Sequence, residues 1–411
     1  MKYQFPNDYS GSKYNRKGAG KGQNVRLTVS LLFMTSIPVS KNTHRIAVAV
    51  FFFIAGLSFA SWASRIPAIK QNLGLSEGGL GLILFALPVG IMSSLPFTGW
   101  IIARWSSRTV LATAAILYPL TLVTLGMVQT PLQLAGALFL FGIWSNFFNI
   151  AVNTQAIAVE QLYGKSIMAS FHGIWSLAGF MGAAIGTFMI SMNLDPLWHF
   201  CMITGIALPV VWLANQYTVK QDALSGKQPI FAKPDKTILL YGLIAFGSMV
   251  CEGTMFDWSG VYFQKAVQAP TQWVTLGYLL FMGAMATGRF ISDRFTTRFG
   301  IKTILQASGA LIATGLFLSV VFPFIIPAGI GFLMVGLGVS SVIPLIYSAA
   351  GRSKTMQPGV ALAAVSTIGF IGFLLGPPLI GSIAQISSLR GSFTVIACLG
   401  LLITVLAKKM H

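Results

Sequence analysis

The sequence has few charged residues and only three cysteines, and each shortage excludes a class of protein. Charged residues make up 9% of the 411 residues, whereas a soluble domain carries about 25%, so an ordinary water-soluble domain is excluded. Cys201, Cys251 and Cys398 lie in apolar segments without CxxC or Cys/His spacing, so they indicate neither a zinc site nor a redox motif. We expect them to be small buried hydrophobic side chains.

Twelve apolar stretches instead fill the chain from about Arg45 to about Ala407. A hydrocarbon core of about 30 Å needs about 20 apolar residues in a helix, and backbone groups in lipid must be satisfied within the segment. The sequence therefore predicts an all-α membrane protein with twelve transmembrane helices. The predicted spans are 46–65, 80–102, 109–128, 132–157, 167–191, 197–215, 238–261, 272–292, 303–322, 325–349, 359–384 and 390–407.

The basic residues are distributed unevenly between the predicted loops, and the formal net charge is +18. With the N-terminus inside, all but four of the 27 Lys and Arg residues fall on the cytoplasmic side, the exceptions being Arg65, Lys70, Lys265 and Arg390. The positive-inside rule then places both termini in the cytoplasm. We interpret the charge as a membrane feature and expect no nucleic-acid partner.

Two polar segments divide the chain. Residues 1–43 contain a stretch rich in Gly, Asn, Ser and Lys, which predicts a basic, disordered cytoplasmic tail. Residues 216–237 contain four lysines and predict a cytoplasmic linker after the sixth span. The linker separates residues 44–215 from residues 238–411, and each part holds six predicted spans.

Landmarks in the two parts correspond to one another. Trp62 near the outer end of the first span matches Trp258 in the seventh, and Gly186 in the fifth matches Gly381 in the eleventh. The two members of each pair are separated by nearly the same number of residues. This similar separation favours an ancient duplication that produced two pseudo-symmetric six-helix bundles. A central cavity between two such bundles suits alternating access.

The loop after the eighth predicted span carries a family motif. Gly288-Arg289-Phe290-Ile291-Ser292-Asp293-Arg294, continuing through Arg298-Phe299-Gly300, resembles the loop motif of the major facilitator superfamily (MFS). The first-half copy, Gly99 to Arg108, departs from the motif because Ala103 stands where the motif carries Asp. The resemblance covers residues 44–409 and implies an MFS fold with a cytoplasmic gate. The expected gate residues are Arg104, Arg108, Glu160, Asp293, Arg294 and Arg298.

Four further strings are similar to the fucose-permease-like and sugar-type branch of bacterial inner-membrane MFS transporters. They are 60–70, Ser170 to Leu177, Glu252 to Ser259, and Gly376-Pro377-Pro378. The Gly-Pro signature of drug antiporters is absent from the fifth span, and so is the Arg found in the fourth span of many proton antiporters. Both absences count against a drug–proton antiporter.

Glu252 is the clear acidic residue within a predicted span. A charge at the bilayer centre costs about 2.5–3.5 kcal/mol even on lenient scales, so a tolerated acid faces a cavity. We expect Glu252 to load and release a proton as access alternates. The alternative is a structural acid that hydrogen-bonds a neighbouring helix.

Other polar residues are candidates for solute binding. At the outer rim, Arg65 is expected to form a gate with Asp257 or Glu252, or to bind a polar solute. The alternative for Arg65 is that its side chain reaches toward the lipid headgroups. The alternative for Trp62 and Trp258 is that they anchor the helices at the membrane interface. On the fourth span, Asn149 and Asn153 share one face and suit hydroxyl groups, unless they join helices. His172 either binds solute near Glu160 or is a satisfied interface histidine. The expected substrate-binding residues are Trp62, Arg65, Asn149, Asn153, His172, Trp175, Asp257 and Trp258.

The sequence gives no support for an enzyme or an ATP-driven pump. The four histidines form no metal spacing, and a P-loop is absent, so we expect no metal or cofactor, with the proton gradient as the driving force. We predict a monomeric secondary transporter in a bacterial inner membrane that moves a small polar solute, with sugar as the favoured example, by proton symport. The alternatives are a proton-coupled exporter of a metabolite or drug, and a lipid flippase.

Overall fold

The computed structural model describes residues 40–164, 167–220, 235–353, 356 and 358–410, except for the side chains of residues 169, 293, 358, 359 and 363. Within these ranges, twelve segments are long and apolar enough to cross a membrane. The predicted all-α fold with twelve membrane-spanning segments is therefore confirmed. The predicted tail up to residue 39 and most of the predicted linker lie outside the described residues.

The first half of the chain contributes seven helices, of which α2 and α3 together make one span. They are α1 (Lys41–Asn72), α2 (Glu77–Leu84), α3 (Ala86–Trp105), α4 (Ser107–Gly126), α5 (Pro131–Tyr163), α6 (Met168–Ser191) and α7 (Pro196–Asn215). The second half contributes α8 (Lys236–Lys265), α9 (Leu276–Phe299), α10 (Ile301–Val321), α11 (Ile325–Ala350), α12 (Pro358–Ile386) and α13 (Leu389–Lys408).

Short polar residues set where several helices begin. The Ser40 hydroxyl accepts a hydrogen bond from the backbone N–H of Thr43 at 3.2 Å, and the Asp235 carboxylate accepts one from Ile238 at 2.7 Å. Such caps satisfy N–H groups that have no partner within the helix. As a result α1 begins at Lys41, inside the predicted tail, and α8 begins at the end of the predicted linker.

Two helices extend well beyond the predicted spans. Helix α1 continues to Asn72, so Lys70 lies within the helix and not in a connection. Helix α9 continues to Phe299, so Arg294 and Arg298 belong to its last turns. Hydropathy locates the lipid-crossing part of a helix, but Lys and Arg are good helix formers, so the helix itself does not end where the apolar run ends.

The two halves of the chain contact each other at the distal end of the bundle, defined as the end opposite Lys41 and Lys408. The Gln264 side chain at the end of α8 donates a hydrogen bond to Gln71 of α1 at 3.0 Å. Nearby, the backbone N–H of Gly78 in α2 donates one to the Gln385 side chain of α12 at 3.2 Å. These contacts close the distal end.

Helices α6 and α9 join the halves along much of their length. The hydroxyls of Thr187 and Thr275 are 2.8 Å apart near the distal end. At mid-length, a Cβ on Gly179 would collide with Met282. The proximal end is the end of the bundle that carries Lys41 and Lys408. Closer to that end, a Cβ on Gly173 would lie 2.9 Å from the Phe290 ring. The two helices therefore form a close-packed side wall between the halves.

Exposed polar side chains show where the halves separate. Asn149 of α5, His172 of α6 and Thr287 of α9 are exposed, although the rest of the exposed surface of the bundle is rich in Leu, Ile and Phe. Polar groups at membrane depth are tolerated where they line a water-filled cavity. We infer a cleft between the halves that opens toward the proximal end.

Candidate functional site

An ion pair lies near the middle of the second half. One guanidinium nitrogen of Arg289 in α9 is 3.3 Å from the Glu252 carboxylate of α8, and the two side chains are only 19% and 10% exposed. Breaking a buried ion pair by removing one partner costs about 3–5 kcal/mol, because the remaining charge is uncompensated. The stability of the fold therefore depends on Glu252 and Arg289 together, because each compensates the charge of the other.

Arg289 also reaches across to the first half of the chain. Its guanidinium donates a hydrogen bond to the Ser176 hydroxyl of α6. The same group lies over the Trp175 ring at 5.8 Å from the ring centroid, which is within the range of a cation–π contact. A change in the charge of Glu252 consequently acts on a residue that connects the two halves.

A cluster of aromatic rings lies one helical turn from Glu252 along α8. Its centre is Phe256, whose ring centroid is 5.2 Å from that of Phe59 and 5.7 Å from that of Phe281. Trp175 and Phe373 complete the cluster at 6.4 and 6.2 Å. The ion pair therefore borders a compact, largely buried aromatic cluster built from α1, α6, α8, α9 and α12.

Further polar groups surround the pair on the proximal side. The Ser366 hydroxyl of α12 donates a hydrogen bond to the Tyr347 hydroxyl of α11 at 2.9 Å, and Tyr347 lies within electrostatic range of Glu252. His172 lies within electrostatic range of Arg289, and its ring packs edge-on against Phe52 at 5.3 Å. His172 and Trp175, which were predicted to bind solute, thus both lie beside the ion pair.

The expected contact of Arg65 with Glu252 or Asp257 is wrong. Arg65 is 2% exposed, and its Nε donates a hydrogen bond to Nδ1 of His199 on α7 at 3.1 Å. Among the described residues it forms no ion pair with either carboxylate. The cause is that Arg65 lies on the side of α1 that packs against α7, where His199 accepts its hydrogen bond.

The tryptophans predicted at the outer rim do not lie at a membrane interface. Trp62 and Trp258 are both fully buried, and neither indole N–H has a hydrogen-bond partner among the described residues. Asp257, next to Trp258, is partly exposed. Anchoring at the lipid interface is therefore excluded for both rings, and their predicted role in binding stays a prediction.

The amides of α5 divide into two groups. Asn146 donates hydrogen bonds to the hydroxyls of Ser94 and Thr98 on α3, both at 2.9 Å, so it joins two helices. Asn153 instead donates to the Asn149 side chain at 2.8 Å. Because Asn149 is exposed, this second pair is accessible, and its role in binding stays a prediction.

The residues predicted to form the gate lie at the proximal ends of their helices. Glu160 accepts hydrogen bonds from the backbone N–H groups of Ile167 and Met168 at 2.8 and 3.0 Å, so it caps the start of α6. The guanidiniums of Arg104 and Arg298 lie over aromatic rings of their own helices, Trp100 and Phe299.

The remaining gate candidates lie at the same end. Arg108 is in the first turn of α4 and Arg294 is exposed on α9. The Asp293 side chain lies outside the described residues. The gate therefore stays a prediction, for a state in which the proximal end is closed.

Sequence reasoning missed the role of Arg289, which it assigned to the cytoplasmic loop motif. A signal was nevertheless present, because Arg289 is the only charged residue within the predicted span 272–292. An intramembrane cation implies a partner anion, and Glu252 is the intramembrane acid that the sequence offers. The family motif obscured this pairing by presenting Arg289 as part of a loop.

Comparison with known proteins agrees with this fold. The chain belongs to the Major Facilitator Superfamily, whose profile matches residues 46–358, and it is a multi-pass membrane transporter. An uncharacterised MFS-type transporter of Yersinia pestis is 32% identical over 90% of this chain and 96% of its own length. Membrane protein MosC of Rhizobium meliloti is 29% identical over 87% and 88%.

A solved structure extends the agreement in fold. The crystal structure of the nucleoside transporter NupG superimposes with a TM-score of 0.66. The match covers 89% of this chain and 99% of that transporter at 14% identity. The expectation of an MFS fold is confirmed.

Proposed function

We propose that this transporter couples the movement of a small polar solute to that of a proton, with Glu252 as the proton carrier. The supporting observation is the Glu252–Arg289 ion pair, because Arg289 contacts Ser176 and Trp175 in the other half of the chain. The solute occupies the cleft beside this pair. A sugar is the candidate that the sequence favours.

The coupling follows from electrostatics. While Glu252 is ionised it attracts Arg289, and the guanidinium remains in place against α6. A proton on Glu252 removes that attraction, so Arg289 becomes available to other partners. Proton binding thereby changes the free energy of contacts between the two halves, which alternating access requires.

The proposed setting is a bacterial inner membrane with both termini in the cytoplasm and the protein acting as a monomer. The positive-inside rule supports this orientation. The proximal cleft then faces the cytoplasm. One proton moving inward at 100 mV supplies about 2.3 kcal/mol, which supports a gradient of roughly 50-fold for a neutral solute.

The experiment is transport by purified protein in liposomes, after a thermal-shift screen of sugars, nucleosides and organic acids has identified a solute. Glu252→Gln should abolish accumulation driven by a pH gradient while exchange of labelled for unlabelled solute continues. Asp195→Asn, which removes an exposed carboxylate just before α7, is the matched control and should accumulate solute normally. Normal uphill accumulation by Glu252→Gln would refute the proposed role.

A further inference from the structure

The central charges balance only while Glu252 is ionised. Its carboxylate is then the anionic partner of Arg289 at 3.3 Å, and the two formal charges cancel. A proton on Glu252 leaves the guanidinium with a hydroxyl and an indole ring among the described side chains, those of Ser176 and Trp175. A desolvated cation of this kind needs an anion.

The surroundings of Arg289 match a carboxylate joined to a small apolar or planar body. Guanidinium binds carboxylate in a bidentate geometry through parallel N–H groups. In the aromatic cluster Phe256 and Phe281 are buried. The apolar surface next to the cation comes from the half-buried rings of Phe59, Trp175 and Phe373. Neutral solutes would pack against the rings and leave the guanidinium charge unbalanced.

We infer that the solute is a small organic monocarboxylate, and that its carboxylate replaces Glu252 at Arg289 when Glu252 is protonated. This inference rests on the proposed function, since it uses Glu252 as the proton carrier. One proton and one monocarboxylate then enter together, so the central site keeps the same net charge when loaded as when empty. A sugar acid satisfies both this requirement and the sequence similarity to sugar-type facilitators.

Other titratable groups lie close to the Glu252–Arg289 pair, but they do not supply an anion in place of the Glu252 carboxylate. His172 approaches Arg289 from α6, and Tyr347 approaches Glu252 from α11. Cys251 adjoins Glu252 on α8. Helices α1 and α12 present Phe59, Phe373 and Ser366 to this region, and none of the three carries a charge. Among the described side chains, none of these groups supplies a second carboxylate for Arg289, so we assign that role to the solute.

The test is ligand-dependent thermal stabilisation of the purified full chain with two matched pairs of probes. Benzoate is compared with benzamide, and gluconate with glucose, at millimolar concentrations and at pH 8. Glu252→Gln mimics the protonated carrier and frees Arg289, so its apparent affinity for a carboxylate probe should exceed that of the unsubstituted protein by about tenfold or more, because an internal competitor has been removed.

Two further variants locate the effect. Arg289→Gln should lose the stabilisation by carboxylates. Lys302→Gln, which removes an exposed cation at the start of α10, is the matched control and should retain it. Should Arg289→Gln fail to fold, the comparison of Glu252→Gln with the unsubstituted protein decides the matter alone.

Each outcome separates this inference from the proposed function. Stabilisation of Glu252→Gln by benzoate or gluconate, but not by their neutral counterparts, supports the inference. Stabilisation by glucose or benzamide alone, or by none of the four, overturns it. Proton-coupled uptake of a neutral solute that is lost in Glu252→Gln would overturn the monocarboxylate and leave the proposed function intact.

Discussion

Two buried arginines inside membrane-spanning helices illustrate how differently this bundle uses the same side chain. Arg289 pairs with a carboxylate, retains 19% exposure and contacts the other half of the chain. Arg65 is 2% exposed and donates to His199 within its own half. An intramembrane arginine can thus bridge the two halves or stay within one, and the proposed coupling rests on the one that bridges them.

The largest effect should come from removing one member of the central pair. Arg289→Leu leaves the Glu252 carboxylate buried without its partner, which costs about 3–5 kcal/mol if it stays charged. We expect a large loss of thermal stability and loss of transport. The double variant Arg289→Leu/Glu252→Leu should regain thermal stability without regaining uphill transport. Thermal unfolding measures the stability of each variant, and uptake into liposomes measures its transport. Equal destabilisation in the single and double variants would contradict the pairing.

A second prediction concerns closure of the distal end. A Cβ on Gly260 of α8 would lie 2.6 Å from the Pro67 ring of α1, so Gly260→Ala should disfavour the distal-closed state. Labelling of a cysteine placed at Asn149, in a background without the three native cysteines, should then fall severalfold. Gly136→Ala is the matched control, because nothing lies within 4 Å of a Cβ there. Unchanged labelling in Gly260→Ala would contradict the assigned closure.

A smaller effect is expected at Arg65. His199→Gln keeps a hydrogen-bond acceptor near the guanidinium, so the loss should not exceed about 1–3 kcal/mol, the range for a buried donor left unsatisfied. Proton-coupled transport should persist. Thermal unfolding and uptake by the same preparation check both expectations. Loss of coupling with an unchanged melting temperature would instead place Arg65 in the transport machinery.

The smallest effect is expected at the distal ion pair. The Lys70 ammonium is 3.2 Å from the Glu77 carboxylate, whose side chain is 26% exposed. The Lys70 side chain is itself only 6% exposed, but Lys70→Met leaves behind only the Glu77 carboxylate, which water reaches. The loss should therefore stay at about 0.2–1 kcal/mol, as for an exposed pair, and the melting temperature should fall only slightly. The difference should shrink at high salt, which thermal unfolding at two ionic strengths measures.

The sequence predicts the fold well and the site unevenly, for physical reasons. Twelve apolar runs are enough for a twelve-helix bundle, because lipid permits little else. Glu252 is recognisable because an acid in an apolar helix is costly. The Arg289 partnership is a contact between helices, and composition along one helix does not encode it. The partner of Arg65 was wrongly predicted for the same reason, because its contact with His199 also lies between two helices.

The stoichiometry of proton uptake tests the central pair most directly. A pH-sensitive dye inside liposomes reports protons while labelled solute reports uptake, in the unsubstituted protein and in Glu252→Gln. We predict about one proton per solute molecule with Glu252 present, since the site holds one ionisable carboxylate beside Arg289, and none in the variant. Equal proton uptake by the two proteins would contradict the account.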